Sequence, residues 1–227
     1  MDDELLLNDL KRFLLPGGME VAKNIIRMRT AEKGEMRAAP EARLVPFTAV
    51  QTIEARCSGF VWEAKLLSSR LLPTVVVDAY QDGHGRIVAK AGGAVPLANF
   101  RGPEVDRGEI QRYLASVMIC PAALVLHPTL TWTVVGTRTL RLRDTVDPTG
   151  ATIDMEIGED GCPLAARAIR PRAVGKKTIP TPWAAVGREF REHEGLRIPH
   201  VTEASWRLAE TDFTYFHSEL TSVTIER

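Results

Sequence analysis

The hydrophobic positions of this chain recur mostly with a period of two. Phe47, Ala49 and Ile53 are interleaved with polar residues across 45–56, and Phe60, Trp62, Ala64 and Leu66 fall on one side of the next segment. Alternate side chains of an extended chain point to opposite faces, so this spacing predicts half-buried strands. Gly59 marks the corner between them. Pro73 opens a strand over 75–80, and Asp82-Gly83 with Gly85 turns it into 86–90, a short hairpin corner. Residues 21–37 read as a pair of strands with a corner near Lys33-Gly34. The pattern returns in the second half. Leu140 and Leu142 alternate with Arg141 and Arg143, and Ile153, Met155 and Ile157 alternate with Asp154 and Glu156. Asp147-Pro148-Thr149-Gly150 has the residue order of a type I turn. Asp160-Gly161 and Glu194-Gly195 mark further corners, before strands around Trp206 and Tyr215.

Two segments change period. In residues 3–15, Leu6, Leu7, Leu10, Phe13 and Leu14 form a helical stripe, and Pro16-Gly17-Gly18 ends it. This helix is expected to pack on the sheet as a lid or plug. A second helix is expected over 107–119, with Asp106 and Glu109 as a capping box and Ile110, Tyr113, Leu114, Val117 and Met118 as its apolar stripe, stopped by Pro121. The Pro-rich stretch 171–182 reads as a mobile loop between two hairpins. About a dozen antiparallel strands cannot lie flat, because native twist makes a wide sheet curl. The chain is therefore expected to be α+β and mostly antiparallel, a single domain over 1–227. In it a highly curved half-barrel (19–227, with the internal helix 107–119) is closed by that helix and by the N-terminal helix (1–18). A two-sheet sandwich is the alternative.

Composition narrows the function classes. A chain of 227 residues buries a sizeable core without cross-links. Its 29 Lys and Arg balance 29 Asp and Glu, which argues against a general grip on nucleic acid, since that needs many neutralised phosphates. A local basic group at Arg167, Arg170, Arg172, Lys176 and Lys177 is expected to be a solvated loop. Cys57, Cys120 and Cys162 are odd in number and far apart, which fits reduced thiols rather than a disulfide framework. The start, Met1-Asp2-Asp3-Glu4, is acidic where a signal peptide is basic. No apolar run approaches the ~20 residues of a membrane span, so the expected location is the cytoplasm. Phosphate-binding glycine loops, nucleophile elbows and paired metal-ligand histidines are lacking, so no cofactor or metal is expected. Nothing in the sequence sets an oligomeric state.

Aromatic residues carry the candidate site. Trp62, Tyr80, Trp132, Trp206 and Tyr215 lie on strands and Tyr113 on the helix. Such rings supply large apolar area with one polar handle, and they either fill the core or line a pocket. Asp78 and Glu203 lie near them, and His217 shares a strand with Tyr215. A carboxylate held against rings has its charged form disfavoured and becomes usable for proton transfer. A salt bridge to Arg56, Arg112 or another arginine is nevertheless the expected fate of either acid.

Several segments occur in a familiar order: Phe60-Val61-Trp62-x-Ala64, Asp78-Ala79-Tyr80-x-x-Gly83-x-Gly85, and Arg112-Tyr113-Leu114 before Pro121-x-Ala123-Leu124. Trp132, Arg170, Pro182-Trp183, Ile198-Pro199 and Glu203-x-x-Trp206 follow. Over about residues 30–225 the chain resembles an uncharacterised bacterial family of domains similar to LolA-like, lipoprotein-carrier half-barrels. The resemblance implies a scaffold for apolar ligands and supplies no catalytic residues. The chain departs from the family pattern at Ser116, where a Glu is usual, and at Ile119-Cys120, where an aromatic is usual. The leading expectation is binding of a small, largely apolar molecule in the concavity. The alternative is a cofactor-free cyclase or isomerase working there with Asp78, Glu203 or His217. A third is an interaction module using 171–182.

Overall fold

The computed structural model describes residues 3–67, 72–175, 177–209 and 211–227. Met1, Asp2 and Lys176, which entered the sequence reading, lie outside them. The first half comprises α1 (Asp3–Leu14), β1 (Arg27–Met36), β2 (Val45–Glu54), β3 (Phe60–Leu66), β4 (Thr74–Gln81), β5 (His84–Ala91) and β6 (Val95–Phe100). The helical segment α2 (Pro103–Ala115) and α3 (Ala123–Leu126) follows. The second half is β7 (Leu130–Gly136), β8 (Thr139–Asp144), β9 (Ile153–Ile157), β10 (Pro163–Val174), β11 (Lys177–His193), β12 (Leu196–Leu208) and β13 (Thr211–Glu226).

These strands form one antiparallel 13-stranded sheet in the order β6-β5-β4-β3-β2-β1-β13-β12-β11-β10-β9-β8-β7. Chain neighbours are sheet neighbours almost throughout. The exception is β6 and β7, which lie at opposite edges; the β1–β13 pairing in the middle joins the two halves, from Arg27↔Glu226 to Met36↔Phe216. The sheet is open, with β6 and β7 as its edges, and it is curved as its width demands. The fold is the curved, mostly antiparallel sheet expected, not a sandwich.

The helices lie where they close this curve. The chain leaves the sheet at edge β6 and re-enters at edge β7, and α2 spans the gap, packing on β4 and β5 to one side and on β9 and β10 to the other. Gln111 Nε2 donates to the Thr152 and Ile169 carbonyls at 3.2 and 3.1 Å, and Tyr113 Oη donates to the Glu54 carbonyl at 3.2 Å. These bonds tie the helix to both arms. α1 packs on β7 and β12 with Leu6, Leu10 and Leu14 fully buried. Each such leucine contributes roughly 1.5–3 kcal/mol of burial. The approach is close: a Cβ on Gly161 would lie within van der Waals overlap of the Asp9 carbonyl.

Strand alternation is realised in the core. Phe60, Trp62 and Ala64 are buried while Glu63 and Lys65 are exposed, and Ile153, Met155 and Ile157 are buried along β9. Several expectations need correction. Residues 21–37 are not two strands: a short 3-10 turn (Met19–Ala22) leads into the single strand β1. Gly34 sits mid-strand, where an added Cβ would lie 2.1 Å from the His217 carbonyl oxygen. Glycine there marks a close approach of backbones, not a corner. The internal helix begins at Pro103 and ends at Ala115, with a 3-10 turn over Ser116–Met118. Asp106 is therefore inside the helix rather than capping it, and its carboxylate accepts the Gly85 N–H at 2.7 Å.

The stretch 171–182 is not a loop. It is the paired ends of β10 and β11, with Pro171 opposite Pro180 and Ile169 opposite Pro182. Proline is tolerated because the outer ladders have already ended. β9 pairs with β10 only as far as Arg167, and β12 pairs with β11 only from Trp183 onward. Nor is the basic group at 167–177 a solvated loop: Arg167, Arg170 and Arg172 lie on β10. Arg167 pairs with Glu156 at 2.6 Å, and Arg170 is buried.

A candidate ligand-binding hollow

Between the concave face and α2 lies a hollow of about 890 Å³. This is at the upper end of the ~300–1,000 Å³ range of small-molecule sites. Its sheet wall carries Trp62, Phe216, Trp206, Tyr215 and Trp183, and its helical wall carries Met118 and Ile119. Trp62 and Phe216 meet edge to face at 6.2 Å between centroids, and Phe47 stacks on Phe216 at 5.3 Å. Tyr215 stacks on Trp206 at 5.8 Å and accepts the Trp183 indole N–H at 3.0 Å. Tyr215 takes this place through a bulge. The β12–β13 register passes from Ala204↔Phe216 to Ser205↔Thr214, leaving Tyr215 as the extra residue.

Charged side chains also converge on this wall. Arg112 from α2 is hydrogen-bonded to the Asp78 carboxylate of β4 and lies over the rings of Phe60 and Trp62, at 4.8 and 5.1 Å. Arg170 from β10 donates to the Gly108 carbonyl at 2.6 Å, lies 4.5 Å over Trp183, and approaches Glu109 at 3.6 Å. Glu32 accepts hydrogen bonds from the Trp62 indole and from Ser218. Burial, reinforced by the charge of Asp78, raises the Glu109 pKa well above its ordinary value, against the pull of Arg170. Its charged form is thus disfavoured. Asp78 Oδ1 and Glu109 Oε2 have no hydrogen-bond partner among the described residues. Two carboxyl groups, one with its charged form disfavoured, meet in an apolar wall.

The candidates named from sequence are dispersed. Trp62, Trp206 and Tyr215 line the hollow, as do Asp78 and Glu203. Tyr80 and Tyr113 are buried in the core instead. Tyr80 donates to Asp147 at 3.2 Å, and burial with that neighbour raises its pKa. Trp132 is half-buried on β7, outside the hollow. Glu203 pairs with Arg188 at 2.9 Å and with His217 at 3.4 Å, so it meets His217 but not Asp78. His217 does not line the hollow.

Sequence reasoning missed Glu109, Arg170, Glu32 and Trp183. One signal was present: Glu109, Arg112 and Ser116 recur at i, i+3 and i+7, a polar stripe beside the apolar one on α2. Glu109 was instead assigned to the helix cap. Ser116, the departure from the family pattern, opens onto the hollow and donates to the Arg112 carbonyl at 2.9 Å.

A second polar cluster has the residue types of a hydrolase triad but not its geometry. Ser58 Oγ donates to Asp144 at 2.6 Å. His127 Nδ1 accepts the Thr129 N–H at 3.3 Å, which places the ring proton on Nε2, facing Ser58 at 3.2 Å. The imidazole therefore donates to the serine and cannot take its proton. The cluster clamps the β2–β3 corner to the start of β7 and the end of β8.

Among the described residues no helix is long and apolar enough to cross a membrane, and no group of three or more His, Cys, Asp or Glu is arranged to hold a metal ion. The fold is shared with a LolA superfamily protein from Nitrosomonas europaea, at TM-score 0.50 and 7% identity, covering 100% of this chain and 94% of that one. It is equally similar to a DUF1329 family protein from Desulfovibrio piger, at TM-score 0.50 and 7% identity, covering 99% and 93%. No curated protein sequence matches the chain. Residues 8–224 match a family of unknown function, DUF6920, and the chain belongs to that family.

Proposed function

We propose that the protein binds a small, largely apolar molecule in the hollow between its curved sheet and α2. The observation that carries this reading is an 890 Å³ space walled by Trp62, Trp206, Tyr215 and Phe216 and left unfilled by side chains. Close-packed interiors leave few voids larger than a water molecule, so an unfilled space of this size and lining suits a guest. The three free thiols, with Cys57 exposed, support a reducing compartment such as the cytoplasm. Native mass spectrometry of the purified protein tests the reading. An adduct of a few hundred daltons that disappears on denaturation is expected. Failure to retain any adduct, even after incubation with a panel of apolar compounds, overturns it.

One observation favours a cofactor-free isomerase or cyclase as a second reading. The Asp78–Glu109 pair supplies a proton donor and a proton acceptor within one apolar wall. A captured ligand incubated with the protein in deuterated water then acquires deuterium at carbon, and Glu109→Gln slows that exchange. No deuterium uptake leaves binding as the function.

A further inference from the structure

The charges lining the hollow do not cancel locally, and their imbalance describes the guest. Arg112 is matched by Asp78. Glu32 and Glu203 face the hollow but are engaged, the first by Trp62 and Ser218, the second by Arg188 and His217. Arg170 has Glu109 as its nearest acid, 3.6 Å away, and burial beside Asp78 raises the Glu109 pKa, which weakens that pairing. Arg170 is 93% buried, and its Nε has no acceptor. The Nε of Arg172, two residues along β10, is equally buried and also lacks an acceptor. Arg101, just after β6, lines the same space. Neither Arg101 nor Arg172 has an ion pair among the described residues. Glu104 shares this end of the hollow, is exposed, and pairs with neither.

The backbone adds to the same corner. α2 starts here, at Gly102 and Pro103, and no side chain caps it. Residues 102–105, the start of this 13-residue helix, line the hollow; Pro103 has no N–H, so the N–H groups at this end are those of Glu104 and Val105. Such groups carry partial positive charge and bind anions. A buried guanidinium with an unfilled donor is costly unless a charge or acceptor arrives. The rest of the wall is mostly aromatic and aliphatic, with Gln51, Ser116, Thr178 and Thr202 among it.

We propose that the guest is an anionic amphiphile: an apolar chain or ring system whose single oxyanion head group is received by Arg101, Arg170 and Arg172 at the N-terminus of α2. This rests on reading the hollow as a ligand site and names the chemistry of its ligand. A carboxylate and a phosphate monoester share that head-group chemistry, since both present oxygens that match guanidinium donors.

The test uses the full-length protein and the neutral dye N-phenyl-1-naphthylamine, displaced by four hexadecyl compounds: the carboxylate, its methyl ester, the alkyl phosphate and the alkylammonium. The carboxylate or the phosphate is expected to displace the dye at about tenfold lower concentration than the ester, the worth of one charge-assisted hydrogen bond. Which of the two does so identifies the head group. The alkylammonium is expected to be weakest. The acid-to-ester ratio should fall in Arg172→Gln and in Arg101→Gln. In the unmodified protein it should also fall with rising salt, a measurement that does not depend on either variant folding. Equal potency of acid and ester, or a ratio unchanged in both variants and by salt, overturns the anionic assignment while leaving apolar binding intact. Failure of the dye itself to bind overturns the reading of the hollow, and this inference with it.

Discussion

Replacing Asp78 with Asn tests whether the charges in the wall of the hollow form one interdependent set. Arg112 reaches Asp78 from α2, and only 20% of its side chain and 12% of that of Asp78 are exposed. Removing one member of a buried pair leaves the other charge uncompensated, at about 3–5 kcal/mol. Arg112 keeps its contacts over Phe60 and Trp62, and Asn retains one acceptor oxygen, so the lower end, about 3 kcal/mol, is expected. For a chain of this length that lowers Tm by roughly 6–12 °C. Glu109 provides a partial fallback. Without the Asp78 charge beside it, one cause of its raised pKa is gone, and it ionises more readily toward Arg112. The double variant Asp78→Asn/Glu109→Gln removes that fallback and should lose more stability than the two single changes summed. Asp78→Asn/Arg112→Met removes both charges and should lose less than the sum, by more than about 1 kcal/mol. Urea unfolding, read as a shift in midpoint at constant slope, measures each value. Additivity in both cycles, or a cost for Asp78→Asn below about 0.5 kcal/mol, refutes the coupling.

Other consequences are open to simpler assays. Gly34→Ala forces a Cβ against the His217 carbonyl and the Ser218 Cα, both backbone atoms that cannot rotate away, and should cost about 3 kcal/mol or more in thermal unfolding. Glu109 has a raised pKa in the folded protein, so the unfolded chain gives up its proton first as pH rises. The folded state loses stability from about pH 4.5 upward until its own, higher pKa is reached. Glu109→Gln removes this penalty, so its stability relative to the parent should increase as pH is raised from 4.5 to 8; a pH-independent difference contradicts the assignment. Burial pushes the Cys120 thiol up to about 12 and the Cys162 thiol to about 11, and burial also raises exposed Cys57. Iodoacetamide at pH 8 should label Cys57 first, Cys162 more slowly, and Cys120 only in denaturant. Tyr80→Phe breaks the bond to Asp147 and should cost about 1 kcal/mol.

What the sequence made legible was local. The α1 stripe, the β3 and β9 alternations and the corner at Glu194-Gly195 each follow from neighbouring residues, and each is where the period placed it. The misreadings arose where a residue's role is set by a distant strand. Pro171, Pro180 and Pro182 signal a loop in isolation, but in the sheet they lie past the ends of the β9 and β12 ladders. Gly34 resembles a corner until β13 is laid against it. The turn after β12 had no glycine to announce it, because Ala209 itself adopts φ +50°. The hollow was legible only in outline. Curvature and aromatic content indicated one, yet Tyr80 and Tyr113 share strand and helix patterns with the lining residues and differ from them only in tertiary position. Glu109 and Arg170 were hidden because they lie 61 positions apart on α2 and β10 and meet only after the sheet has curled.

Indole quenching by 1-bromooctane, a neutral chain with a contact quencher, addresses the central claim most directly. Trp62, Trp183 and Trp206 line the hollow and Trp132 does not. Saturable quenching is expected, and Trp132→Phe should raise the quenched fraction because it removes the indole outside the hollow. Quenching that rises linearly without saturation, and by the same fraction in Trp132→Phe, would show that no guest enters.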